Sequence, residues 1–154
     1  MLSYRRKGSR RSGSSLFETA AGLFVLVPVV LFLFDIVSMI LVQTANDALA
    51  KHAARAAAET PDPDPSNAGS YAAAQNQATN TATQVVNSFP PSRLASNPTL
   101  LVCNYTDDRV NGVSQVYVRT RLSCTLPIPI PFSNISAIDF VAEATEPIVA
   151  VLPP

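Results

Sequence analysis

The sequence predicts an α+β protein: a long N-terminal transmembrane helix extending into a small C-terminal domain, in which a second helix packs on a short antiparallel sheet. Three observations predict it. Residues 19–42 are apolar apart from one acid and run on into an alanine-rich stretch. Apolar residues recur at helical spacing between 71 and 89. The last third alternates apolar with polar residues and carries turn signals.

The N-terminus is a basic stub. Arg5, Arg6, Lys7, Arg10 and Arg11 fall within the first thirteen residues, which contain none of the eleven acids. The remainder holds six Lys/Arg against eleven Asp/Glu, so it is a poor binder of nucleic acid. Positive flanks stay on the cytoplasmic side of a membrane, and the stub reads as a topology signal.

Residues 19–42 contain 24 residues and a single charge. As a helix they extend about 36 Å, enough to cross a hydrocarbon core of about 30 Å. A secretory signal has a shorter apolar region; the small-x-small triplet Ala48-Leu49-Ala50 lies well beyond the run. Glu18 stands at the cytoplasmic end. Asp35 lies 17 residues further on, about 25 Å up the axis. A charge deep in lipid costs roughly 2.5–3.5 kcal/mol on insertion scales, so Asp35 is either a membrane-boundary acid or a polar contact to another subunit's helix. Pro28 removes one backbone donor and crowds the carbonyl of Phe24, which predicts a kink.

The helix is predicted to leave the membrane and continue over 43–59, supported by alanine and by the i,i+4 pairs Asp47/Lys51 and Arg55/Glu59. Prolines 61, 63 and 65 end it. A second helix over 70–88 presents Tyr71, Ala74, Ala78, Ala82, Val85 and Phe89 as one stripe. Strands are predicted at 99–105, with Leu101, Cys103 and Tyr105 on one face, and around Val116, Val118, Thr120, Leu122 and Cys124. Asn111-Gly112 marks the turn between them. Pro127, Pro129 and Pro131 form an extended connector. Residues 139–151 supply a third strand with Phe140, Ala142 and Ala144 inward.

Cys103 and Cys124 fall on inward faces of neighbouring predicted strands. Outside the cytoplasm two cysteines suit a single disulfide, and a Cys103–Cys124 bridge across the hairpin requires a bulge or a wider loop to bring the register together.

Residues 13–55 resemble the TadE-like family of the tight-adherence (Tad/Flp) pilus system. The likeness rests on the basic stub, Gly13-Ser14, Glu18 five residues into the product of a cut after Gly13, the apolar run, a second acid at Asp35, and the extension with Ala45, Ala48, Ala53, Ala54 and Arg55. Two positions depart from the family's pattern: Thr19 follows the glutamate, and Pro28 stands about one turn further from it than usual. The resemblance implies processing between Gly13 and Ser14 by a prepilin peptidase. Residues 1–13 are then a cleaved cytoplasmic leader, 14–59 the transmembrane and extended pilin-like helix, and 60–154 a soluble domain outside the bacterial inner membrane. Glu18 and Asp35 become assembly residues. The implied partners are the peptidase, other pilin-like subunits, pilus assembly proteins and membrane lipid.

The expected role is structural, that of a minor pilin or pseudopilin. One histidine, no spaced metal ligands and no phosphate loop leave catalysis and cofactors without support. Two alternatives are a pseudopilin of another secretion apparatus and an uncleaved single-pass anchor that carries a small binding domain.

Overall fold

The computed structural model describes residues 12–59, 70–90, 92–108, 112–128 and 136–148. The basic stub at 1–11, the predicted proline-rich stop at 60–69, Asn111 of the predicted turn, most of the proline connector and the last residues of the chain lie outside them.

Helix α1 runs unbroken over Ser12–Ala58 and passes through Pro28. Helix α2 covers Ser70–Asn87. Strands β1 (Thr99–Asp108), β2 (Val113–Thr125) and β3 (Ala137–Pro147) form one antiparallel sheet in the order β1-β2-β3. Gly112 has φ 69° at the end of the β1–β2 turn, a left-handed conformation that glycine adopts without steric cost. The C-terminal half of α1 lies over β2 and β3, and α2 lies beside α1 over β1. Both helices share one face of the sheet.

Small side chains make this packing possible. Ala50, Ala53, Ala54 and Ala57 of α1 and Ala74, Ala78 and Ala82 of α2 are all buried. Without longer side chains between them the two helices and the sheet sit close together. The sheet supplies the bulk, through Tyr105, Val116 and Val118. A second cluster nearer the middle of α1 joins Val42, Ala95, Leu122 and Cys124. The opposite face of the sheet is polar, with Arg119–Glu143 at 3.3 Å and Arg121–Asp139 at 3.9 Å across β2 and β3. These exposed pairs contribute little to stability.

Helix α2 also closes the outer edge of β1. The Gln75 side-chain amide donates to the Cys103 carbonyl at 2.8 Å and accepts from the Tyr105 amide at 2.7 Å. The Tyr71 hydroxyl donates to the Tyr105 carbonyl. A row of backbone groups that would otherwise face solvent is thereby satisfied.

Three details depart from the sequence reading. The β1–β2 register shifts between Leu100 and Val102, so Leu101 is the extra residue of a bulge. It is 39% exposed, while Leu100 packs on the core. The most buried stripe of α2 is Ala74, Ala78, Ala82 and Val86, while Val85 and Phe89 pack against the core only partly buried and Tyr71 is exposed. The disulfide does not form: Cys103 and Cys124 are free. Cys103 pairs with Val118, six positions before Cys124 on β2. At about 3.3 Å per residue that separation is near 20 Å, far beyond the roughly 7 Å that a bridge tolerates between Cα atoms. The bulge moves the register by one residue, and the bridge needs six.

Candidate functional site

The distinctive feature is a change of environment along α1. Every residue from 15 to 34 is exposed. These 20 residues include Phe24, 82% exposed, and extend about 30 Å, the thickness of a bilayer's hydrocarbon core. Soluble monomers rarely expose a contiguous apolar surface of this size. The helix from Ser15 is long and apolar enough to cross a membrane.

From Asp35 onward the helix has a covered stripe: Asp35, Ser38, Val42, Asn46, Leu49, Ala50, Ala53, Ala54, Ala57 and Ala58 are buried. The spacing of three and four keeps them on one side of the helix. The sequence suggested a span reaching Val42. In the structure the last third of that span, from Asp35, already packs one side against the rest of the domain.

Asp35 marks the transition. It is only 7% exposed, and its Oδ1 accepts the Ile128 amide at 3.2 Å. A carboxylate that would be costly in lipid thus has a donor within its own chain, on the β2–β3 connection. Two of the hydroxyls along the helix are satisfied locally: Thr19 donates to the Ser15 carbonyl at 2.8 Å and Ser38 to the Phe34 carbonyl at 2.9 Å. Such back-bonding satisfies each of these hydroxyls within the helix itself.

Asn46 is the polar centre of the helix–sheet interface and was not singled out from the sequence. It is fully buried. Its Nδ2 donates to the Phe140 carbonyl at 3.0 Å, and its Oδ1 accepts the Thr120 hydroxyl at 2.9 Å. One side chain thereby ties α1 to both β2 and β3 and sets their register, as a single buried polar residue does in a coiled coil. The sequence signal was present: Asn46 falls four residues after Val42 and four before Ala50, on the inward stripe.

Gly13 and Ser14 lie in the first turn of α1. Glu18 follows one turn later, exposed, and among the described residues nothing pairs with it. It stands at one end of the bare stretch and Asp35 at the other. Cys124 lies buried close to Asp35: burial, and then the Asp35 charge, push its thiol above the ordinary value. Burial likewise raises the Cys103 thiol, opposed by a hydrogen bond with Thr79. Among the described residues no group of three His, Cys, Asp or Glu stands where it could hold a metal ion.

Comparison with family models, curated proteins and solved structures finds no match.

Proposed function

We propose that this chain is a pilin-like minor subunit, or pseudopilin, of a Tad-type pilus assembly and secretion system. In this reading it is a structural protein and not an enzyme. A prepilin peptidase cuts it after Gly13, the bare part of α1 sits in the bacterial inner membrane, and the soluble domain stands on the outer side. The observation that carries the reading is Glu18 at the mouth of a bare, membrane-length helix, five positions after a glycine and preceded by a basic stub.

The chemistry follows from the cut. Cleavage creates a free amine on Ser14 at the membrane surface. In an assembled bundle the Glu18 carboxylate of one copy pairs with the Ser14 ammonium of its neighbour. An unpaired carboxylate there is unfavourable, and a paired one is tolerated. The pair fixes the axial stagger between neighbours. Lipid and neighbouring helices cover the exposed apolar surface between residues 15 and 34, while the soluble domain supplies shape and partner choice.

Replacing Glu18 tests this. Glu18→Ala is expected to leave processing and membrane insertion intact and to abolish incorporation into pili. Normal incorporation contradicts the reading.

A further inference from the structure

The end of the sheet nearest the bare part of α1 is finished by loops, and their height along the helix follows from their contacts. The Asp35 carboxylate accepts the Ile128 amide and lies close to Cys124. Cys124 bridges to Ala95, and the Thr125 amide donates to the Leu94 carbonyl at 2.9 Å. Leu94 and Met39 pack on the same cluster as Val42. Residues 94–96 therefore run antiparallel to the last residues of β2. Arg93, one position earlier, stands near the level of Leu126 and Asp35.

Three features suit this end to a lipid surface. The exposed apolar side of α1 continues past Phe34: Val37, Ile40 and Leu41 are each more than half exposed, on the side away from the domain, and Leu41 lies about 9 Å above Asp35. Several loop amides are already bonded. Those of Ser96 and Leu126 donate to the carbonyls of Ser123 and Ser136, that of Ala95 to the Ser92 hydroxyl and that of Ile128 to Asp35, while Pro127 has none. Backbone that meets lipid must satisfy its donors internally. The charges are also sorted. Asp107, Asp108 and Glu146 lie at the opposite end of the sheet. At the near end Asp139 is held by Arg121 and the Ser123 hydroxyl, and Asp35 by Ile128. Arg93 is exposed, and among the described residues no acid pairs with it.

We propose that this end of the domain rests in the headgroup layer of the membrane that α1 crosses, with the Arg93 guanidinium on the phosphate of an anionic lipid. A headgroup layer is about 5–8 Å deep on each side of the hydrocarbon. A layer that begins where the bare stretch ends thus covers the level of Asp35 to Met39. The guanidinium fork matches a phosphate. As an interfacial anchor on one side of α1, Arg93 sets the tilt of the helix together with the packing of the domain. The inference rests on the proposed function only in taking α1 to be membrane-embedded; cleavage after Gly13 and assembly into a pilus do not enter it.

The chain contains no tryptophan, so a single introduced one reports its own depth. Asn97→Trp places it at the near end. Thr145→Trp places it on β3, about 20 Å beyond Asp139. Both positions and Arg93 are exposed, so the fold is retained. The full chain is reconstituted in vesicles of phosphatidylcholine mixed with phosphatidylglycerol, with bromines at the headgroup end of the acyl chains as quencher. The Asn97→Trp reporter is expected to be quenched and the Thr145→Trp reporter to stay bright. Adding Arg93→Ala is expected to shift the balance of seated against raised domains about fivefold, read as lost quenching at position 97. In phosphatidylcholine alone it changes nothing, and Arg93→Lys keeps most of the quenching. A chain that floats with the vesicles but is not quenched at 97 has α1 leaning away with its domain lifted, which overturns the proposal. Equal quenching of both reporters, or quenching at 97 that survives Arg93→Ala in the anionic vesicles, overturns it too. A chain that does not float with vesicles overturns the proposed function as well.

Discussion

The Asp35 carboxylate and the Ile128 amide, 93 positions apart in sequence, meet at 3.2 Å where the bare part of α1 gives way to the covered part. The bond holds the start of the β2–β3 connection against the helix. Removing the acceptor leaves a part-buried donor without its partner. Asp35→Ala is expected to lower stability by about 1–3 kcal/mol, and Asp35→Asn, which keeps a carbonyl oxygen, by less. Denaturant unfolding of the full chain in detergent measures both.

Asn46 and Thr120 act as a unit. Asn46→Ala strands the buried Thr120 hydroxyl and is expected to cost about 2–4 kcal/mol. Thr120→Val removes the stranded hydroxyl, so the double variant is expected to be less destabilised than the two single losses added together. A coupling of about 1 kcal/mol in a double-mutant cycle supports a direct hydrogen bond; simple additivity does not.

Gln75 holds the β1 edge shut with both ends of its amide. Gln75→Leu keeps much of the side-chain volume and removes both bonds. The Tyr105 amide is expected to exchange faster, and the protein to lose about 1–3 kcal/mol. Hydrogen exchange at Tyr105 reads the first effect, with Val118 on β2 as the internal reference.

The two thiols give a pH dependence. Burial raises both, so above the ordinary thiol range of about 8.5 the unfolded chain loses these protons before the folded one does. The native state then binds more protons, and stability falls as pH rises. Full stability is expected below that range and a decline above it, absent in the Cys103→Ala, Cys124→Ala double variant. Both thiols are also expected to be alkylated on unfolding without reductant, and Cys103, half-buried, to react before Cys124 in the folded protein. A non-reducing mass two hydrogens lighter would indicate the bridge that the register forbids.

The elements were largely legible in the sequence because their periodicities differ. Val116 to Cys124 alternates with period two, and Ala74, Ala78 and Ala82 repeat every four residues. The bulge at Leu101 left no such trace. A run of three apolar residues, Leu100-Leu101-Val102, is compatible with either face, and pairing with β2 decides between them. The place where the rest of the domain begins to cover α1 was equally hidden. Ile36, Met39 and Val42 are as apolar as Leu33 and Phe34, and a helix surface reads alike whether lipid or a sheet covers it. Asp35 was visible as an anomaly, but its donor, a backbone amide 93 positions away, carries no residue-type signature. Glu18 and Gly13 were legible by spacing alone, and the role proposed for them lies in processing and in assembly between copies.

The account's central claim is that a new ammonium group on Ser14 neutralises Glu18 of an adjacent copy. The most direct test is the mass of the N-terminal peptide of the protein purified from its native membrane. The account predicts a chain that begins at Ser14. A chain that retains Met1, or one that begins at Lys51, would contradict it.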